Sequence, residues 1–440
     1  MKPRGLLAAV IVLAALGGVL YWSNRKQKAD AAKPATDTAT TKILNIPEDQ
    51  IKEIALKKAG AQTTLLRKGD DGKWLIAEPQ PLRADQDTAK SLVGSLATLN
   101  ADKVVEDKAA DLKPYGLNDP LLVVTVTKKD GKSQDFQVGD DEPTGGGAYA
   151  KLAGDAHVYT IASYVKTSID KTPNDLRDKR LLTFDQDKLT RVDLQPVKGD
   201  TIEFGKNNQN DWQILKPKPL RADGSQVEEL IRKLKDAKMD ATISDDDAKK
   251  AAAAFASGTK VAGVTVADSS GAETLEVRKD KDKNYYAKSS AVDGIYKVTA
   301  DLGDGLDKKV DDFRNKKLFD FGWTDPNKIE IGKATFEKNG DKWMSGAKQL
   351  DAPSVQSVVD KLRDLASTKF LDTGGGAPVL DITVTSNSGK RVEKVSITKQ
   401  ADAYFAKREN EPSIYQLDGK AVEDLQKAAS EVKPFQPPKK

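Results

Sequence analysis

The sequence predicts an α+β protein: an amino-terminal transmembrane helix followed by three tandem, homologous α+β domains with antiparallel sheets. Three observations predict it. The pentapeptide PLRAD occurs at 81–85 and again at 219–223. A tryptophan stands seven residues before each of these prolines, Trp74 and Trp212, and a third version of the segment, DKWMSGAKQLDAP, carries Trp343 without the arginine. Farther along each copy, an aromatic residue precedes a tyrosine by ten positions, as Tyr149/Tyr159, Tyr286/Tyr296 and Phe405/Tyr415. A repeat this long is domain-sized, well above the periods of solenoids.

Residues 1–28 read as a membrane anchor. GLLAAVIVLAALGGVLYW runs without a charge from Gly5 to Trp22, between Lys2 and Arg4 on one side and Arg25, Lys26 and Lys28 on the other. As a helix it covers ~27 Å, enough for a bilayer core. Tyr21 and Trp22 stand where interfacial aromatics belong. The competing reading, a cleaved signal peptide, needs small residues at the end of the run, where these two bulky side chains lie; Ala15–Gly17 leave it one weak site. The short amino-terminal tail and the large polar remainder favour the amino end inside and the body outside. Residues 29–41, rich in Ala, Thr and Pro, read as a flexible linker.

Domain boundaries follow from the repeats: 42–183, 184–320 and 321–440, the last with a truncated close. Each copy opens on alternating segments, QIKEIAL, LTRVDL and NKIEIG, that run as strands toward the tryptophan. A helix follows. Its apolar stripe is Ala89, Leu92, Val93, Leu96 and Leu99 in the first copy. In the second it is Val227, Leu230, Ile231, Leu234 and Ala237, and in the third Val355, Val358, Val359, Leu362 and Leu365. Asp85 and Asp223 stand where an N-cap is needed, with Ser225 and Glu228 offering a capping box as another start; Asp351 precedes Pro353, which a first helical turn accepts. Further strands and a hairpin come next, and two copies close with DLRDKRLLTFD and DFRNKKLFDFG, whereas the third ends in VKPFQPPKK.

Composition excludes several activities. The first 28 residues hold five basic and no acidic side chains, so the body keeps 66 Lys and Arg against 67 Asp and Glu. A neutral, mixed surface offers nucleic acid no basic face. The chain has no cysteine and one histidine, His157. Disulfides, thiolate metal sites and cysteine nucleophiles are therefore absent. His157 falls in a hairpin loop, where the other copies carry Gly294 and Ser413, and no serine-nucleophile motif accompanies it. The Gly runs in DEPTGGGAYAK and DTGGGAPVL lack the Lys-Ser/Thr and helix of a phosphate loop. ISDDDAKK reads as a helix start, and DLGDGLDKK lacks the order of an EF-hand, so no metal ligand is assigned.

The motifs YGLNDP (115–120), FQVGD (136–140), YAK (149–151) and DLRDKRLLTFD (175–185) resemble the domain-of-unknown-function family numbered 4340, bacterial membrane-anchored proteins with repeated copies of this unit. The resemblance covers residues 42–440; the second copy lacks the YGL motif and the third lacks both YGL and the RDK close. It carries no catalytic residue and no cofactor. Members are often encoded beside ABC-type transporters of the gliding-motility kind, which implies an extracytoplasmic accessory subunit.

The expected function is thus non-enzymatic: a single-pass protein of the bacterial inner membrane, its bulk periplasmic, held in the bilayer through residues 5–22 and contacting ABC transporter subunits of an envelope assembly. The alternative is a module binding cell-envelope glycan or polymer. No carboxylate pair stands out for a glycan hydrolase. Candidate interaction residues are Arg83 and Arg221 of the two PLRAD segments, and Tyr285 and Tyr404, read as exposed aromatics for stacking on sugars. Trp74, Trp212 and Trp343 read as core anchors. PLRAD itself reads as a joint: a proline turn, a leucine plug and an aspartate cap.

Overall fold

The computed structural model describes residues 41–143, 145–240 and 245–437. It is an antiparallel α+β chain with two compact units, divided at Lys179 and Arg180. The anchor read at Gly5–Trp22, and the linker up to residue 40, lie outside the described residues. Among the described residues no helix is long and apolar enough to cross a membrane.

The first unit is built on a nine-stranded sheet. Its order is Leu82–Arg83, Trp74–Glu78, Thr64–Lys68, Ile51–Lys58, Leu122–Lys128, Ser133–Asp141, Gly147–Leu152, Val158–Ala162 and Lys103–Glu106. Every pairing is antiparallel. Alternation turns Trp74 and Ile76 inward together with Val124, Val126, Phe136 and Val138. The helix Gln86–Ala97 lays Ala89, Leu92, Val93 and Leu96 on that face. Each fully buried leucine or valine contributes roughly 1.5–3 kcal/mol.

The second unit contains two such sheets. One has eight strands, from Leu220–Arg221 through Trp212–Lys216, Ile202–Lys206, Arg191–Pro196, Thr259–Asp268, Gly271–Lys279 and Tyr285–Ser289 to Ile295–Val298. The other has nine, from Lys348–Gln349 through Lys342–Ser345, Ala334–Asn339, Lys328–Ile331, Ala377–Ser386, Arg391–Gln400, Ala403–Arg408 and Ile414–Leu417 to Ser367–Leu371. All three sheets therefore share one order over eight strands, which is the structural content of the repeat, and the first and third add a ninth strand beside the hairpin. Three hydrophobic cores result, drawn from Ile43–Leu176, Leu181–Phe313 and Leu318–Leu425. Leu181 and Leu182, and likewise Leu318 and Phe319, stand in the closing motifs yet pack in the core that follows.

The tryptophans are core anchors: Trp74, Trp212 and Trp343 are buried, with the ammonium groups of Lys68, Lys206 and Lys338 over their rings at 5.8, 5.0 and 5.7 Å. All three aspartates cap their helices. Asp85 accepts from Thr88 N at 2.8 Å, Asp223 from Ser225 N at 3.0 Å and Asp351 from Ser354 N at 3.1 Å. The alternative start at Ser225 is not used, because the helix already begins at Gly224. The two Gly runs are connections that lead into the strands Gly147–Leu152 and Ala377–Ser386.

PLRAD is a joint. Ala84 bridges Arg177, and Ala222 bridges Arg314, so each PLRAD segment pairs with the RDK or RNK close of its own copy. Asp85 N donates to Leu176 O and Asp223 N to Phe313 O, both at 2.7 Å. The third copy makes the same joint without the motif: Leu350 bridges Pro434, Asp351 N donates to Lys433 O at 2.8 Å, and Phe435 N to Gln349 O at 2.9 Å. The bonds are backbone bonds, so VKPF replaces RDK without loss.

Candidate interaction site at the joint of the second and third repeats

Of the two PLRAD arginines, Arg83 lies half-buried on the short edge strand of the first sheet, its carbonyl accepting from Asp178 N at 2.8 Å. Arg221 occupies the same place in the second sheet and organises a polar cluster with the third repeat. Its side chain is 15 % exposed. Nη1 donates to Asp320, Nε lies 2.8 Å from Glu411 Oε1, and Nη2 donates to Lys317 O at 2.6 Å and to the Tyr415 hydroxyl at 3.3 Å. Burial disfavours the charged guanidinium, but Asp320, Tyr415 and Glu411 outweigh it and push the pKa upward, so the charge is permanent.

A second arginine backs the first. Arg408 Nε lies 2.7 Å from Glu411, Nη2 lies 3.0 Å from the buried Glu393, and Nη1 donates to Leu318 O. Glu393 in turn accepts from Asp320 N at 3.0 Å, and Asn315 Nδ2 donates to Asp320 Oδ1 at 2.9 Å. Tyr415 donates to Glu411; burial raises its pKa against the opposing pull of Arg221, and the Glu411 hydrogen bond raises it further. Beside the cluster, the Arg314 guanidinium lies 3.5 Å over the Phe370 ring and donates to Ser413 Oγ at 2.7 Å. A cleft of about 260 Å³ opens here between Leu215, Pro219, Arg314, Pro412 and Ser413.

Both terminal nitrogens of the Arg221 guanidinium donate to internal acceptors, Nε lies against Glu411 without completing a hydrogen bond, and Glu411 is also held by Arg408. Such a cluster fastens two repeats; removing one member strands the others as buried charge. Among the described residues no three His, Asp or Glu side chains are grouped to hold a metal ion.

Tyr285 and Tyr404 correct the sequence reading. They are not exposed platforms: 4 % and 6 % of their surfaces remain open. Each ring lies under a lysine, Lys279 or Lys399, with the ammonium 4.6 Å from the centroid. The Tyr285 hydroxyl donates to Asp304 and accepts from Lys279 at 2.7 Å; that of Tyr404 accepts from Lys399 at 3.0 Å. Strand parity is the cause. Tyr285 faces the same side as the buried Ala287, and Tyr404 the same side as Ala406.

The signature motifs of the first repeat meet in one place. Tyr115 donates to Glu106 at 2.8 Å and stands edge-on to Tyr149, with 5.0 Å between ring centroids. Gly116 adopts φ +66 against the Asp140 carboxylate, and a Cβ at Gly139 would collide with the Tyr115 carbonyl. YGL, VGD and YAK are thus one packing site. Residues 74–253 and 212–387 match the family described as Domain of unknown function (DUF4340).

The chain belongs to this family.

The two DUF4340 segments begin at the core tryptophans Trp74 and Trp212 and run through a closing motif into the strands of the next core. No curated protein and no solved structure matches the chain. Sequence reasoning passed over Asp320, Glu393, Arg408 and Glu411. A signal was available: where the third repeat has Asp320, Arg408 and Glu411, the second has Thr183, Ser289 and Val292.

Proposed function

We propose that this DUF4340 protein is a non-enzymatic scaffold of the bacterial envelope, held in the inner membrane through residues 5–22 with its bulk in the periplasm, and acting as an accessory of an ABC-type transport system of the gliding-motility kind. The observation that supports a positioning role is the Arg221 cluster. Its charges are spent on joining the second and third repeats, which suits a body that presents surfaces to partners better than one that turns over a substrate. The uncharged run Gly5–Trp22, between basic flanks, supports the anchor.

The test is affinity purification of the full chain from its native membrane after brief crosslinking, read by mass spectrometry. Recovery of transporter permease and ATPase subunits is the expected result. Recovery of the chain with no transporter subunit overturns the assignment.

A further inference from the structure

One aromatic side chain stands where the repeats otherwise place a polar one. Ile54, Val192 and Ile329 hold equivalent places, each paired inside its sheet with neighbours on both sides. Six residues before them stand Glu48, Gln186 and Trp323. Trp323 is 91 % exposed, whereas Trp74, Trp212 and Trp343 are buried. Water opposes leaving an indole in the open, and nothing in the packing of the third core uses it.

The turn that carries it is firmly built. Arg363, 13 % exposed, donates from Nε to Gly322 O at 2.9 Å, from Nη1 to Asp360 at 2.6 Å and from Nη2 to Asp325 at 3.2 Å. Its guanidinium carbon lies 5.5 Å from the Phe321 centroid and 5.6 Å from that of Trp323. Gly322 turns the chain at φ +63. The second repeat answers the same position with Lys235, which donates to Gln186 at 3.2 Å. The third repeat has therefore exchanged a polar pair for an indole beside a guanidinium, and the turn that carries it is already ordered, which lowers the cost of binding there.

The surroundings choose the occupant. The guanidinium beside the ring is bound by Asp325 and Asp360, and Lys338 lies 3.8 Å from Asp325. A lipid surface wants continuous apolar area and, when anionic, is repelled by carboxylates. The core of a protein interface is depleted of charge. A pyranose ring of the β-gluco configuration fits: its axial C–H bonds make an apolar face of about indole size, and its equatorial hydroxyls meet a polar rim. We propose that Trp323, on the turn held by Arg363, is a saccharide subsite that stacks one pyranose ring of a β-linked envelope glycan. This site is independent of the transporter contacts, and its test involves no transporter.

The experiment uses the full chain in nanodiscs and its Trp323→Gln variant, which installs the second repeat's residue. Subtracting the two fluorescence spectra isolates the one indole. The probe is the β-1,4-linked tetramer of N-acetylglucosamine. Expected is a saturable blue shift with protection from acrylamide, half-maximal at roughly millimolar sugar. Retention on chitin beads should be lost in Trp323→Gln and several-fold weaker, without being abolished, in Trp323→Phe. Absence of any sugar-dependent shift, or equal retention of parent and Trp323→Gln, overturns the proposal. So does an indole already shielded from acrylamide in the nanodisc before sugar is added, which would make lipid the occupant.

Discussion

The second and third repeats tie down the same stretch of backbone by different chemistry. Leu181 N donates to Ala237 O at 2.9 Å in one and Leu318 N to Leu365 O at 3.0 Å in the other. The next amide but one is held by a glutamate in both: Thr183 N by Glu273 at 2.6 Å, Asp320 N by Glu393 at 3.0 Å. The carbonyl between them separates the two. Leu181 O accepts from the Ser289 hydroxyl, whereas Leu318 O accepts from the Arg408 guanidinium. A serine completes its bond and stops there. An arginine brings a charge into the interior, and Glu393, Glu411, Asp320 and Arg221 follow to balance it. The comparison teaches that the backbone joint is common property of the repeat, and that divergence at a few strand positions decides whether the joint is a neutral seal or an ionic fastening.

Five substitutions test that contrast, beginning with the largest expected effect. Arg408→Ala should destabilise the third core by about 3–5 kcal/mol, because Glu393 and Glu411 lose their buried partner; Ser289→Ala, at the matching position, should cost about 1 kcal/mol. Urea unfolding, followed by hydrogen exchange in each repeat, separates the two, and equal losses would contradict the distinction. Gly303→Ala probes a close approach special to the second repeat, where the new Cβ would strike the Tyr285 ring. Overpacking of this kind costs about 1–3 kcal/mol, and the Tyr285–Asp304 hydrogen bond should be disturbed in an amide or hydroxyl NMR spectrum.

The hairpin loops extend the comparison to the first repeat. There Asp155 accepts from the Tyr159 hydroxyl at 2.5 Å and from His157 Nδ1 at 2.6 Å. Burial pulls its pKa up, but the bonds from Tyr159 and His157 win and hold it at about 2. Burial first, then the Asp155 bond, pushes Tyr159 up to about 12. A depressed carboxylate adds stability that is complete above its unfolded pKa of about 4 and is lost as pH falls toward 2. In the second repeat Tyr296 donates to the Asp293 backbone carbonyl, which does not titrate. Asp155→Asn should therefore remove about 1 kcal/mol of acid-sensitive stability from the first repeat, a value kept small because solvent reaches the carboxylate. Hydrogen exchange at pH 3 and pH 6 reads it, and an unchanged pH dependence counts against the assignment. Smallest is Trp323→Gln, expected to move stability by less than about 0.5 kcal/mol, since an exposed ring contributes little packing. A large loss of melting temperature would mean that the indole is structural.

Much of the architecture was legible in the sequence because it rests on periodicity. The helix stripes, the aspartate caps and the inward tryptophans follow from spacings that any chain must obey. The third close was illegible because it is made by backbone bonds, which VKPF provides as well as RDK. Tyr285 was misplaced because two adjacent tyrosines point to opposite faces, and only the register with the neighbouring strand Gly271–Lys279 says which one enters the core. Arg221 stood out in the sequence through the repeated PLRAD, but its partners are 96 to 194 residues away along the chain, a separation that leaves no local trace.

By itself the sequence determined that this protein is a repeat of one α+β unit, with a capped helix and a buried tryptophan in each copy, because these features depend on neighbours a few residues apart. Only the tertiary structure decided which polar residues are spent inside and which side chain is left outside. Arg221 meets residues brought from the third repeat, and Arg408 and Glu393 meet partners 15 to 90 residues away within it. Trp323 is exposed because the turn held by Arg363 faces water. Burial is set by what the fold places alongside a residue, and no local pattern carries that information.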